Sequence, residues 1–434
     1  MRKNIIMLSA CLCIVMFAAC DPNDEGKSAF ADDSINIVKV TEKALLSPYE
    51  EDITAAGTVA RGANDFAFRL GAALVKDAGD KNFVCSPYSV WLPLAALLNA
   101  TDEQNKAALT EALGASGIGV EDINKAASRM LYNLTKMQDK DYELNRYYNP
   151  LKIANAIFVD NAVTLKNDFA QTFMDFYRGA SINVDFSSQN AVDAVNRWAS
   201  ENTGGLIKNL IKEFDPETVV SIANAIYFSD RWDSEFDPDE TKKDVFHAKG
   251  GDSKAFYMLR EGKNQIYYED DRLQAIWLSF KHGGGMYIVL PRDGDAAALL
   301  SSITNEYFNE IMRGADLSEG KLLLPRFSIE NDISDLKEAL KSLGIPLFVG
   351  APLTGLIEEL PLVLTSAKQR ALIKVDEKGT TAAAVTIMDA GGSARPRPSI
   401  PFEMICDRPF VFILYDNTYD GGRQILFTGV VNKP

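Results

Sequence analysis

Val375–Pro398 reads VDEKGTTAAAVTIMDAGGSARPRP, and the reading of this stretch decides how the rest of the chain is understood. It leaves a short apolar run, Leu372, Ile373 and Val375, passes Gly379, and enters a series of small and β-branched residues. Regular structure ends at Gly391-Gly392, Pro396 and Pro398, since paired glycines cost backbone entropy and prolines lack an amide donor. Local propensity leaves the middle undecided: alanine favours helix, whereas Thr, Val and Ile favour strand. A period of two is more informative. One face carries Thr380, Ala382, Ala384, Thr386, Met388 and Ala390, all uncharged and mostly small; the other carries Thr381, Ala383, Val385, Ile387 and Asp389. Such a segment can enter between two strands of a sheet and meet a packed core without overpacking it. A surface hairpin or linker is the plainer alternative.

Two sets of residues turn this into a resemblance. Glu377–Thr386, EKGTTAAAVT, resembles the hinge of the reactive-centre loop of serpins. Arg408–Pro434, RPFVFILYDNTYDGGRQILFTGVVNKP, is similar to the C-terminal strand pair and ending of that family. The resemblance runs from about Ala63 to Pro434 with its motifs in family order. It implies an α+β serpin fold: a large central mixed β-sheet, two smaller sheets, about nine helices and an exposed reactive-centre loop near 377–398. It also implies an irreversible suicide-type protease inhibitor. In that mechanism a protease cuts the loop and is held as an acyl-enzyme while the hinge inserts into the main sheet. Strand addition and loop insertion of this kind are known switching devices. A non-inhibitory serpin, acting as a binding protein or a protease substrate, would share the fold, but its hinge would be bulky or charged and this one is neither.

The chain has 434 residues, a 47% hydrophobic content sufficient for a sizeable core, and a net charge of −15. That charge argues against nucleic acid, anionic membranes and heparin-like cofactors as ligands. Arg2 and Lys3 precede an apolar run, Ile5 to Phe17, that is short for a membrane span. Phe17-Ala18-Ala19-Cys20 resembles a bacterial lipobox, with Phe17 in place of the usual leucine. The implied organisation is a signal peptide over 1–19, an acidic tether over 20–62 with one short element around Ile35 to Leu46, and one domain over 63–434. Cys20 would carry the lipid, palmitate included, and anchor an exported lipoprotein to the outer membrane, at the cell surface or facing the periplasm. Acidic Asp21, Asp24 and Glu25 resemble surface-export signals. An ordinary secretory signal that happens to precede a Cys is the alternative. Cys85 and Cys406, both in apolar surroundings, are expected to be core thiols.

Within the domain, Phe66, Leu70 and Leu74 predict an amphipathic helix ending before Gly79. Ser86-Pro87 is a helix start, followed by a run that is apolar all round and contains Pro93. Lys152–Asp160 and Thr218–Trp232 read as buried strands, the second suited to the centre of a sheet. Leu322–Asn331 reads as a further strand and Leu336–Leu343 as a helix stopped by Gly344.

The resemblance assigns roles residue by residue. Ser86, Ser89, Asn224 and Gln369 fall at the shutter beneath the middle of the main sheet. Gln369 departs from the histidine usual there, so a clamp to Asn224 would lack pH dependence. Trp232, Arg326 and Glu377 fall at the breach where the loop enters, with Arg326 paired to Glu377. Gly379, Thr380, Ala382, Ala384 and Thr386 form the hinge. For the reactive bond, family spacing counted from Gly379 lands on Ser393-Ala394; counted back from Arg408-Pro409-Phe410 it lands near Pro398-Ser399. The hinge count is preferred, because inserted length sets how far the protease is carried. Arg395 and Arg397 each precede a proline, which trypsin-like enzymes refuse. Small Gly392, Ser393 and Ala394 suit an elastase- or subtilisin-like serine protease, or a papain-like cysteine protease. No enzyme signature competes. The two histidines, His247 and His282, follow no nucleophile motif, and GxSxG, HExxH, CxxC and a Walker loop are absent. A monomer without metal or cofactor is expected.

Overall fold

A computed structural model describes residues 9–17, 37–38, 55–136, 139–141, 146–148, 150–203, 205, 209–333, 335–380, 401–417 and 423–434. Its axis is Thr218–Phe228, the β-branched and aromatic run expected at the centre of a sheet. Both faces of this strand are covered, with a period of two. Ile222 and Ile226 join the larger core, which includes the helix Pro87–Leu97. Ala223 and Ala225 face a second core built on the helix Gln189–Asn202, with Phe158 and Trp198 edge-to-face at 6.0 Å. On one side Thr218–Phe228 pairs antiparallel with Leu151–Asp160, then come Gly179–Val184 and the two-residue strand Ile37–Val38. On its other side Ser9–Phe17 lies parallel to it and parallel to Val363–Val375, and Phe327–Ile333 closes the sheet antiparallel.

A two-stranded pair, Asp139–Asp141 with Arg146–Tyr148, stands apart, and the other strands form a second system. The order is Phe402–Ile405, Asp316–Pro325, Gly251–Glu269, Leu273–Ser279, Gly285–Pro291, Phe410–Asn417, Arg423–Val431, Phe83–Cys85, with Lys242–Ala248 hung from Gly251–Glu269. The two smaller sheets are continuous because the 19-residue strand Gly251–Glu269 serves both, with a register shift between Gly262 and Gln265. Nine α-helices are formed among the described residues. None is long and apolar enough to cross a membrane.

Several elements differ from expectation. The first helix runs Ala56–Ala78 and so begins within the segment read as tether. Its early turns are small residues that pack closely: Val59, Ala60 and Ala63 are buried, and a Cβ on Gly62 would lie 2.0 Å from the Gly114 carbonyl oxygen. That close approach requires glycine, and an apolar-periodicity count that starts at Phe66 misses it. The stretch Leu322–Asn331 is split at Arg326 into strands of two different sheets. Ser9–Phe17, set apart from the domain as the apolar part of a leader, here supplies a strand of the main sheet. The run SACLCIVMF is uncharged, and it lies between two strand edges whose amides need partners. Cys85 and Cys406 are free and fully buried. Burial pushes the Cys85 thiol up to about 12, against a hydrogen-bonded Thr428, and raises Cys406 as well. Neither forms thiolate at neutral pH.

Candidate functional site

Where Val363–Val375 ends, the chain turns back on itself. Asp376 and Gly379 exchange backbone hydrogen bonds, N–H to O 3.0 and 3.3 Å, and Gly379 bridges antiparallel to Arg231 just beyond Thr218–Phe228. Thr380 is thereby brought against Asp230, just beyond the end of Thr218–Phe228. Gly379 has φ 141°, and a Cβ there would stand 2.3 Å from the Asp230 carbonyl oxygen, so two independent constraints demand glycine.

Thr380, the first residue past the turn, is completely buried. Its N–H donates to the Asp230 carbonyl at 2.9 Å, and its hydroxyl lies 3.2 Å from both the Asp230 N–H and that carbonyl. Trp232 braces the turn from the side. Its N–H donates to the Lys378 carbonyl at 2.9 Å, its indole N–H to the Asp376 carbonyl at 3.0 Å, and its ring stacks on Phe280 at 4.7 Å. Arg326, freed from both flanking strands, donates through Nε to Glu377 Oε1 at 2.6 Å, and the Thr241 hydroxyl reaches the same oxygen at 2.6 Å. Burial alone would raise the Glu377 carboxyl; the Arg326 and Thr241 hydrogen bonds outweigh it and hold the group below its usual range. A lowered carboxyl stays charged at every pH above the ordinary glutamate range, so this pin is released only as pH falls below it.

The middle of the sheet is held differently from expectation. The Gln369 side chain clasps the backbone of Ser86 in both directions, Nε2 to the carbonyl at 2.9 Å and Oε1 from the N–H at 3.2 Å. Ser86 caps the helix Pro87–Leu97 and also donates its hydroxyl to the Leu426 carbonyl at 2.6 Å. The expected clamp between Gln369 and Asn224 is not made, because Ile14 stands in register between them. Asn224 instead donates to Asn155 Oδ1 at 2.7 Å, and Asn155 to the Tyr177 carbonyl at 2.6 Å, tying the centre of the sheet to its other half. Ser89 is buried and its hydroxyl has no partner among the described residues. The tie made by Gln369 therefore runs from strand to helix cap rather than from strand to strand.

The family described as Serpin (serine protease inhibitor) matches residues 61–434. The chain belongs to the serpin family. Alpha-1-antitrypsin from Meriones unguiculatus is 29% identical over 377 residues, 85% of this serpin and 89% of the relative. An uncharacterised serpin-like protein from Methanosarcina acetivorans is 28% identical over 387 residues, 87% and 86% of the two chains. Among solved structures, the thermophilic serpin Tengpin in its native state aligns with TM-score 0.73 and 25% identity, over 90% of this chain and 96% of its own. A highly specific serpin from the insect Tenebrio molitor gives TM-score 0.73 and 27% identity. The large mixed sheet, smaller sheets and helices are therefore the serpin fold. This is a family of protease inhibitors, and the chain is not an enzyme.

The serpin brings Glu377, Gly379, Thr380, Trp232 and Arg326 together at one end of the slot, and Ser86, Ser89 and Gln369 at its middle, across from Asn224. Ala382, Ala384, Thr386, Ser393, Ala394 and Cys20 lie outside the described residues. Sequence reasoning missed Asp230, Thr241 and Asn155. Asp230 carries one usable signal: an ionisable residue inside the run Thr218–Trp232 read as a buried strand, one position before Arg231-Trp232.

Proposed function

We propose that this serpin is an irreversible inhibitor of elastase- or subtilisin-like serine proteases, trapping them by loop insertion, and that it acts from the outer membrane as a lipoprotein. The observation that carries the inhibitory reading is Thr380, completely buried against Asp230 at the end of Thr218–Phe228, directly past the turn at Asp376–Gly379. Insertion then has a seeded first residue, and the uncharged face continuing through Ala382, Ala384 and Thr386 can follow it with little desolvation cost. The reactive bond is Ser393–Ala394. Its small residues suit a shallow primary pocket, and Arg395 and Arg397 are each shielded by a proline.

Mixing the protein with a panel of serine and cysteine proteases tests this reading. An elastase-like enzyme is expected to give a covalent complex stable in SDS and to release a C-terminal fragment starting at Ala394. A fragment starting at Pro396 or Pro398 would make the arginines the bait. Clean turnover with no complex would favour the non-inhibitory alternative.

The anchor has its own test. Cys20→Ser is expected to leave the protein unlipidated and to move it from the membrane fraction to the soluble one. A wild-type protein found soluble and without acyl chains would remove the lipoprotein reading and leave the inhibitory one untouched.

A further inference from the structure

The seat that holds Thr380 is itself held by a buried acid–base pair joining two sheets. Asp230 follows Thr218–Phe228 and is 1% exposed; His282, in the tight loop between Leu273–Ser279 and Gly285–Pro291, is 6% exposed. His282 Nδ1 donates to Asp230 Oδ1 at 2.7 Å, and the His282 backbone N–H donates to Asp230 Oδ2 at 3.0 Å. The Arg231 N–H adds a third bond to Oδ1, at 2.8 Å. Both carboxylate oxygens are thus fixed, while the main chain of the same residue grips Thr380 through its N–H and its carbonyl. The loop presenting His282 is built for the task. Gly283 and Gly284 have φ 120° and 66°, and the Lys281 N–H donates to the Arg231 carbonyl at 2.8 Å.

We infer that Asp230 and His282 form the positioning pair of the hinge: His282 orients the Asp230 carboxylate, which fixes the backbone that seats Thr380 at the mouth of the slot. The pair thereby governs how readily the hinge starts to insert. The consequence for trapping rests on the inhibitory reading; the positioning itself does not. A buried carboxylate needs such partners, since an unpaired one would be expelled toward water and would pull its own main chain with it. Burial does raise the Asp230 carboxyl, against the opposing hydrogen bonds from His282 and Arg231. The charged groups arranged about the pair are Arg231 beside Asp230, Lys281 on the His282 loop, Asp416 against Gly284, and Glu377 and Lys378 on the hinge. Glu377 is already taken by Arg326 and Thr241.

Three variants separate positioning from mere structure. His282→Ala removes the donor, His282→Gln moves it one bond too far, and His282→Asn keeps a donor near the Nδ1 position. Amide hydrogen exchange at Thr380 reads the seat directly, without a protease. Exchange is expected to be at least about tenfold faster in His282→Ala and in His282→Gln, and to return close to wild type in His282→Asn. Stoichiometry of inhibition reads the consequence. It should rise several-fold in the first two variants and recover in the third, while the rate of initial encounter with the protease stays unchanged. If His282→Ala fails to fold, the contrast between His282→Gln and His282→Asn carries the test. Unchanged Thr380 exchange in His282→Gln overturns the assignment, even if wild-type protein traps proteases. Altered exchange in a protein that forms no complex keeps the positioning pair and overturns the inhibitory reading.

Discussion

Thr380→Arg is expected to convert the inhibitor into a substrate. Thr380 has no exposure to solvent, and the backbone N–H and carbonyl of Asp230 meet it in the seat. A guanidinium keeps its charge at any pH the protein meets. Burying the charge costs several kcal/mol even after relaxation. If about 3 kcal/mol of that appears in the barrier to insertion, insertion slows roughly a hundredfold. Hydrolysis of the acyl-enzyme then wins the race: the loop is cut, the protease leaves active, and stoichiometry of inhibition rises by at least an order of magnitude. Native stability should change less, because the hinge can leave its seat without exposing the core. Ala382→Glu, next on the same face by alternation, should act alike. Titrating each variant against a protease that the wild type traps measures the effect. Unchanged stoichiometry in both would mean that this face does not enter the sheet.

The order of legibility follows the physics. Long β-branched or apolar runs such as Thr218–Phe228 and Pro87–Leu97 declare themselves, because burial on all sides leaves no polar positions to confuse the pattern. The hinge is legible for the opposite reason: a demand for small residues on one face leaves a visible gap in side-chain size. Arg326 and Glu377 were paired from resemblance, and they do meet. Partners supplied by backbone geometry were not legible. Nothing about Gln369 says that it will clasp Ser86 rather than Asn224, since an amide satisfies either partner equally well. Asp230 and His282 are far apart in sequence, and either alone reads as an ordinary loop residue. Only the juxtaposition of two sheets turns them into a site. The early start of the first helix was hidden because its contact is glycine on glycine, at Gly62 and Gly114, and carries no apolar periodicity.

The leader strand leads to the other large effect. Ser9–Phe17 fills the slot between Thr218–Phe228 and Val363–Val375 along its length, from Ser9 opposite Thr218 and Val363 to Phe17 opposite Tyr227 and Leu372. It runs parallel to both neighbours, whereas a hinge turning back at Gly379 must enter antiparallel to them. The two occupants use the same strand edges and cannot share them. Protein that keeps residues 1–19 is therefore expected to form no SDS-stable complex and to be cleaved, if at all, as a substrate. Protein beginning at Cys20 should trap the protease with a stoichiometry near one. Heat stability should run the other way. The leader makes both ladders of the filled sheet, and a chain without it loses those bonds, so the longer form should unfold at the higher temperature. Loop cleavage should then raise the melting temperature of the form beginning at Cys20 much more than that of the longer one, because only the former has a slot left to fill. Differential scanning calorimetry of both forms, before and after loop cleavage, makes the comparison. Equal trapping by the two forms would mean that the leader leaves the slot as readily as it fills it.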